Sequence, residues 1–190
     1  MTAEIVLAVV VVLVLLVWLV LAKANRLDLL HQKITRTAAT LDAQLLRRAG
    51  QAAELAATGR LDPASSLVLA GAADACLTTG QDLELPVDAE RSLPGRATLT
   101  QEREVVESDL SRVLRQALEG AGDGGPSDLA IVADVVATGR RVEMARRFHN
   151  DAVTQTVRIR GQAMVRLLRL AGNARLPRTF EMDDTPPRLG

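Results

Sequence analysis

Residues 5–22 read IVLAVVVVLVLLVWLVLA, eighteen apolar residues without a break. At about 1.5 Å per residue, a helix of this length nearly crosses the roughly 30 Å hydrocarbon core of a bilayer. Trp18 sits near its C-terminal end, where an interfacial aromatic is expected. A signal peptide is the rival reading, since Ala22-Lys23-Ala24 resembles a cleavage site. Yet no Lys or Arg precedes the apolar run, and a signal h-region usually spans only about 7–15 residues. The run therefore reads as an uncleaved transmembrane helix. Only Glu4 is charged before it, whereas Lys23, Arg26, Lys33 and Arg36 come after it. Positive charge stays inside, so residues 1–4 are expected outside the cell and the rest in the cytoplasm, at the cell membrane. The single cysteine, Cys76, excludes an internal disulfide framework and agrees with a reducing compartment.

The chain beyond the anchor reads as helical. Aromatic residues make up only 2% of the chain and Tyr is absent, while Ala, Leu and Arg are abundant, which disfavours strands. Between Asn25 and Thr58 there is no Pro, and the only Gly is Gly50. Leu27, Leu30, Ile34, Ala38, Leu41 and Leu45 recur at three- and four-residue steps, so the anchor is expected to continue into a helix over 25–58. Gly59 stops it, and Asp62-Pro63 opens a second helix over 63–79 with Leu67, Ala70, Asp74 and Leu77 in periodic positions. Residues 80–97 form an acidic loop with two Pro and two Gly. A third helix is predicted over 99–119, with Val106, Leu110, Val113, Leu114 and Leu118 on its apolar face. GAGDGGPSD at 120–128 breaks the chain, and Ser127 or Asp128 can cap a fourth helix.

That fourth helix is predicted over 128–171. Its core stripe reads Thr138, Ala145, Phe148, Ala152, Ile159, Ala163 and Leu170, widened by Val142, Val153 and Val157, with bends at Gly139 and Gly161. The cytoplasmic domain is thus an all-α bundle of long antiparallel helices over 25–171. Residues 172–190, with three Pro, read as a tail that is tethered and then disordered. Within the fourth helix, Glu143, Arg147 and Asp151 make a solvated charge ladder. His149 lies beside the stripe with no nucleophile or metal-ligand spacing around it, so it reads as structural. Asn150 is a poor helix-interior residue. It is read either as exposed or as a polar pin that sets register or meets a partner.

Two stretches carry a family resemblance. In ARRFHNDAV, residues 145–153, Ala145, Arg146, Asn150 and Val153 match an A-R-x-x-Y-N-x-x-V run, with Phe180 as a late aromatic. Near the anchor, Asp42, Gln44, Leu45, Arg47 and Arg48 match a D-x-Q-L-x-R-R element. These features resemble the LemA family, over about the first 58 and the last 50 residues of this chain. The chain departs from the pattern at His149, where the family has Tyr, at Gln155-Thr156, where it has a second Tyr-Asn, and near Gly161, where its Pro is missing. The resemblance implies a divergent member: a single-pass membrane protein with a helical bundle and no known enzymatic activity. Asp42, Arg47, Arg48, Arg146 and Asn150 are then the candidate partner-binding positions.

Charge adds a second reading. The chain as a whole is neutral, but from Arg140 to Arg178 ten Arg face two acidic residues. Arg166, Arg169 and Arg175 alternate with apolar residues, as in a segment lying on an anionic leaflet, with each Arg contributing about 1 kcal/mol. No aromatic platform accompanies the charge, so nucleic acid is not expected. GAGDGG lacks the Lys-Ser/Thr of a phosphate-binding loop, and no nucleophile has a base at fixed spacing. The expectation is a scaffold or adaptor that binds a membrane or cytoplasmic protein. No enzyme, metal or cofactor is expected, and self-association is left open.

Overall fold

A computed structural model describes residues 2–81, 99–119, 126–162 and 176–186. Among these, four helices account for all regular structure: α1 (Thr2–Ala57), α2 (Pro63–Gln81), α3 (Gln101–Leu118) and α4 (Pro126–Arg160). The acidic loop of 80–97 falls outside the described residues from Asp82 onward.

α1 is one unbroken helix of 56 residues, about 84 Å long at the α-helical rise. Its first part, Ala3–Ala22, is long and apolar enough to cross a membrane and is not covered by any other of the described residues. A helix suits that environment because every backbone N–H and C=O between its ends is satisfied within the segment. No Pro interrupts α1. It ends where Gly59 adopts φ +70°, a left-handed conformation that glycine tolerates, and Thr58 bonds back to the Leu55 carbonyl. Asp62 then caps α2 by accepting from the Ala64 and Ser65 N–H groups at 3.0 Å, with Pro63 at the first helical position. Thr100 caps α3 through the Arg103 N–H, and Glu102 and Glu104 in the first turn favour the same helix end.

α2 and α4 run antiparallel to α1, and α3 runs parallel to it. α1 lies between α2 and α4, and α3 packs chiefly on α2. The buried positions of α1 (Ile34, Ala38, Leu41, Leu45, Arg48, Ala52 and Leu55) alternate four- and three-residue steps. Those of α4 do the same: Thr138, Val142, Ala145, His149, Ala152, Thr156 and Ile159. That alternation keeps a narrow seam facing the partner helix. Two apolar clusters result. The one farther from the apolar span joins all four helices around Leu55, Leu69, Leu110, Leu114 and Val135. The other collects Leu41, Leu45, Val142 and Ala145 with Phe180 and Met182.

Two sequence expectations are corrected. Phe148 is not core: it is 59% exposed, and His149 beside it is buried. After Ala145 the seam advances four residues rather than three. One helical step turns the side chain by about 100°, which carries Phe148 off the seam to the outer surface near exposed Met144. In α2, Leu67, Ala70 and Asp74 face outward, and the buried stripe is Leu69, Ala73 and Cys76. The face of small residues wins because it allows close approach: a Cβ on Gly80 would lie 2.9 Å from Leu46 Cδ2 and 3.1 Å from the Arg103 guanidinium. α4 ends at Arg160, and the chain turns at Gly161, where a bend was expected. Residues 163–175 are outside the described set, and with them Ala163 and Leu170 of the expected stripe.

Candidate functional site

Residues 176–186 belong to the tail expected to be tethered and then disordered, and they run extended along the bundle, between α3 and α4. The extended conformation alternates its side chains by two. Phe180 and Met182 therefore point inward and are 1% and 9% exposed, while Glu181 points to solvent. Phe180 fills a pocket of Leu41, Leu45, Val142 and Ala145. An extended segment has no internal partners for its backbone, so flanking helices must supply them.

They do so for the N–H groups of Phe180, Glu181 and Asp183. From α4, the Asn150 amide donates to the Phe180 carbonyl at 3.1 Å and accepts the Phe180 N–H at 2.9 Å, as a neighbouring strand would. From α3, the Glu104 carboxylate accepts the Glu181 N–H at 3.0 Å and Ser108 Oγ accepts the Asp183 N–H at 3.1 Å. Charged side chains then fix the ends. Glu104 also accepts from Arg178 at 3.1 Å. Arg146 donates twice to Asp184, at 2.9 and 2.7 Å, and reaches Glu181 at 3.4 Å. Arg115 pairs with Asp183 at 2.5 Å and donates to the Thr185 carbonyl at 3.2 Å. The bond from Arg115 holds the Asp183 carboxyl at a pKa of about 2. His149 hydrogen-bonds the Arg178 backbone, and its Nδ1 lies 3.4 Å from Thr37 Oγ1. Burial pushes its pKa down, so the ring stays neutral near pH 7.

A second polar constellation joins α1 to α3. Arg48 pairs with Glu107 at 2.7 Å and donates to Ser111 at 2.9 Å and to the Glu107 carbonyl at 3.0 Å. Arg103 meets Asp42 at 2.7 Å, in charge contact but off the hydrogen-bond direction, and Glu107 at 3.5 Å. Two cations thus face two carboxylates, and both Arg103 and Glu107 are fully buried. Such a group is held by mutual compensation, because any one charge left alone there would be costly. Beside it, burial first and then the Glu107 carboxylate push the Cys76 thiol up to about 12, so it is not a thiolate at neutral pH. Among the described residues no three His, Cys, Asp or Glu side chains gather as metal ligands.

The five candidate residues thus separate. Asp42 and Arg48 enter the α1–α3 network, and Arg146 and Asn150 hold the C-terminal segment. Arg47 is exposed on α1, away from both constellations. Arg166, Arg169 and Arg175 lie outside the described residues. Sequence reasoning missed the α3 contributions. Arg103, Glu107 and Ser111 recur every four residues beside the apolar face of α3, and that polar stripe was the available signal. It also missed Phe180-Glu-Met182-Asp, a short apolar–acidic alternation. Comparison with family models, curated proteins and solved structures finds no match.

Proposed function

We propose that this chain is a single-pass membrane-anchored helical scaffold or adaptor of LemA type, with its bundle in the cytoplasm, acting through protein–protein contact. The observation that carries the reading is the continuity of α1. The apolar span and the bundle's central helix are one rod, so the bundle stands at a fixed height and orientation relative to Ala3–Ala22. Leu30, the first buried residue of α1 in the bundle, comes eight residues after Ala22, a stand-off of about 12 Å. The polar constellations are intramolecular, and the one nucleophile beside them, the buried Cys76 thiol next to Glu107, is pushed up to about 12 and stays protonated, which favours a binding role over catalysis. The test is cross-linking in the native membrane and then purification. A scaffold gives a recurring protein partner that an Arg47→Ala variant or a variant at exposed Phe148 loses without unfolding. No recurring partner would count against it.

A peripheral lipid role is the second reading, favoured by one observation. Lys33 bonds Gln155 at 3.4 Å, so the end of α4, with Arg158 and Arg160, lies beside the part of α1 nearest the apolar span. Arg26 and Arg36 of α1 add charge toward the same end, and Arg166, Arg169 and Arg175 follow α4 in sequence. An anionic leaflet would attract it. Binding to vesicles that is indifferent to their anionic lipid content would remove this reading.

A further inference from the structure

Where the extended segment reaches Asp184, Thr185 and Pro186, a cleft opens between α3 and α4, over Arg48 of α1. Leu114 of α3 and Val135 and Val136 of α4, all buried, give it an apolar wall. Arg48 and Ser111 give it a polar one, and exposed Arg140 stands at its rim. The cleft is narrow: its volume is about 30 Å³, or about 450 Å³ counting the open mouth. The narrow part takes about two waters or one group the size of a carboxylate.

Arg48 carries an unused donor. The residue is only 4% exposed. Its Nη1 donates to Ser111 at 2.9 Å, and its Nη2 donates to the Glu107 carbonyl and carboxylate at 3.0 and 2.7 Å. Its Nε–H has no partner in the protein. A buried donor left unpaired is costly, so such groups are few unless something else meets them.

Gly139 is a second mark. α4 continues through it, although glycine weakens a helix interior relative to alanine. No close packing calls for it: a Cβ there would meet nothing within 4 Å. Gly139 borders the cleft, so the side chain it lacks is one that would narrow this space.

The charges around the cleft favour an anion. Glu143 and Asp184 also border it, but each is already paired, with Arg147 at 2.6 Å and with Arg146 at 2.7 Å. Arg48 is balanced by Glu107. Arg140 has no ion-pair partner among the described residues. One unpaired cation and one unpaired N–H donor thus border the same partly apolar space.

We infer that this cleft binds a short-chain monocarboxylic acid as its anion. The carboxylate takes the Arg48 Nε–H and the Arg140 guanidinium, and a body of a few carbons lies on Leu114, Val135 and Val136 beside Gly139. The charge-assisted bonds fix the head group, and the apolar wall selects against small inorganic anions. The site belongs to the bundle and does not depend on the apolar span, so it goes beyond the scaffold reading and stands or falls apart from it.

The test titrates the full-length protein in detergent micelles with butyrate, read by saturation-transfer NMR against empty micelles. Saturable binding is expected, at least about tenfold weaker for butyramide, which keeps the body and loses the charge. Gly139→Leu fills the cleft and should abolish binding, while the unfolding midpoint holds or rises. Arg140→Ala, a surface change, should weaken binding several-fold and reads the same site should Gly139→Leu fail to fold. Butyramide bound as tightly as butyrate would overturn the inference. So would butyrate binding that survives Gly139→Leu in the folded protein or is unchanged by Arg140→Ala, and so would no saturable binding at all, which would leave only water in the cleft.

Discussion

The side chain of Asn150 and the backbone of Phe180 exchange two hydrogen bonds, at 3.1 and 2.9 Å, and so treat a helix side chain as one rung of a sheet. This gives Asn150 a use that offsets its poor helix propensity. Truncation to alanine leaves the Phe180 N–H and C=O without partners, and each part-buried group costs about 1 kcal/mol or more. Asn150→Ala should lower the urea midpoint by the equivalent of about 2 kcal/mol and speed proteolysis around residues 176–186. Unchanged protection would mean that the segment is held without this clip.

Phe180 and Phe148 form a matched pair of opposite expectation. Phe180 is 1% exposed and Phe148 is 59% exposed. Phe180→Ala should cost about 3 kcal/mol or more of unfolding free energy, as expected for a buried aromatic. Phe148→Ala should stay within about 0.5 kcal/mol, as expected for a surface position. Equal losses at the two sites, in thermal or denaturant unfolding, would contradict the seam described for α4.

The buried group of Arg48, Asp42, Arg103 and Glu107 predicts non-additive energetics. Glu107→Gln leaves two cations facing the single carboxylate of Asp42 and should cost about 3–5 kcal/mol. Arg48→Met costs less when made together with Glu107→Gln than the two single changes suggest. A double-mutant cycle reads the coupling directly, and a coupling near zero would mean that the charges do not compensate one another.

Acid should loosen the C-terminal segment in two steps. Burial lowers the His149 pKa in the folded state, so the unfolded chain binds a proton more readily below its ordinary value of 6.5. Stability is therefore full above that pH and falls as pH drops from 6.5 toward the folded value. Asp183 moves from 3.8 to about 2 on folding, so its contribution is present above pH 3.8 and is lost between 3.8 and about 2. Its partial exposure screens this second contribution. His149→Gln should remove the step that begins below pH 6.5 from a plot of unfolding midpoint against pH and leave the lower one.

Much of the helical frame was legible from local signals. The absence of Pro over 25–58, the Gly59 stop, the Asp62-Pro63 start and the glycine-rich break from Gly120 each place an element boundary near where the structure has it. What local signals did not carry was the choice between adjacent faces. Phe148 outranks His149 in hydrophobicity, yet facing Thr37 and Ala38 of α1 favours the residue that continues the four–three seam. In α2, Leu67 is more apolar than Ala73 or Gly80, but close approach to Leu46 and Arg103 selects the small residues. The candidate site was half legible. Arg146 and Asn150 stood out as polar residues that α4 packing alone did not explain, but their ligand lay thirty residues away. Phe180 and Met182 offer too short an alternation to outweigh three nearby Pro.

The most direct test of the central claim is the intact mass of the native protein purified from its membrane. An anchored scaffold retains residues 1–22 and gives the full-length chain of 20.3 kDa, apart from any loss of Met1. A chain beginning at or near Asn25 would show that the apolar helix is a cleaved signal and would contradict the membrane-anchored account.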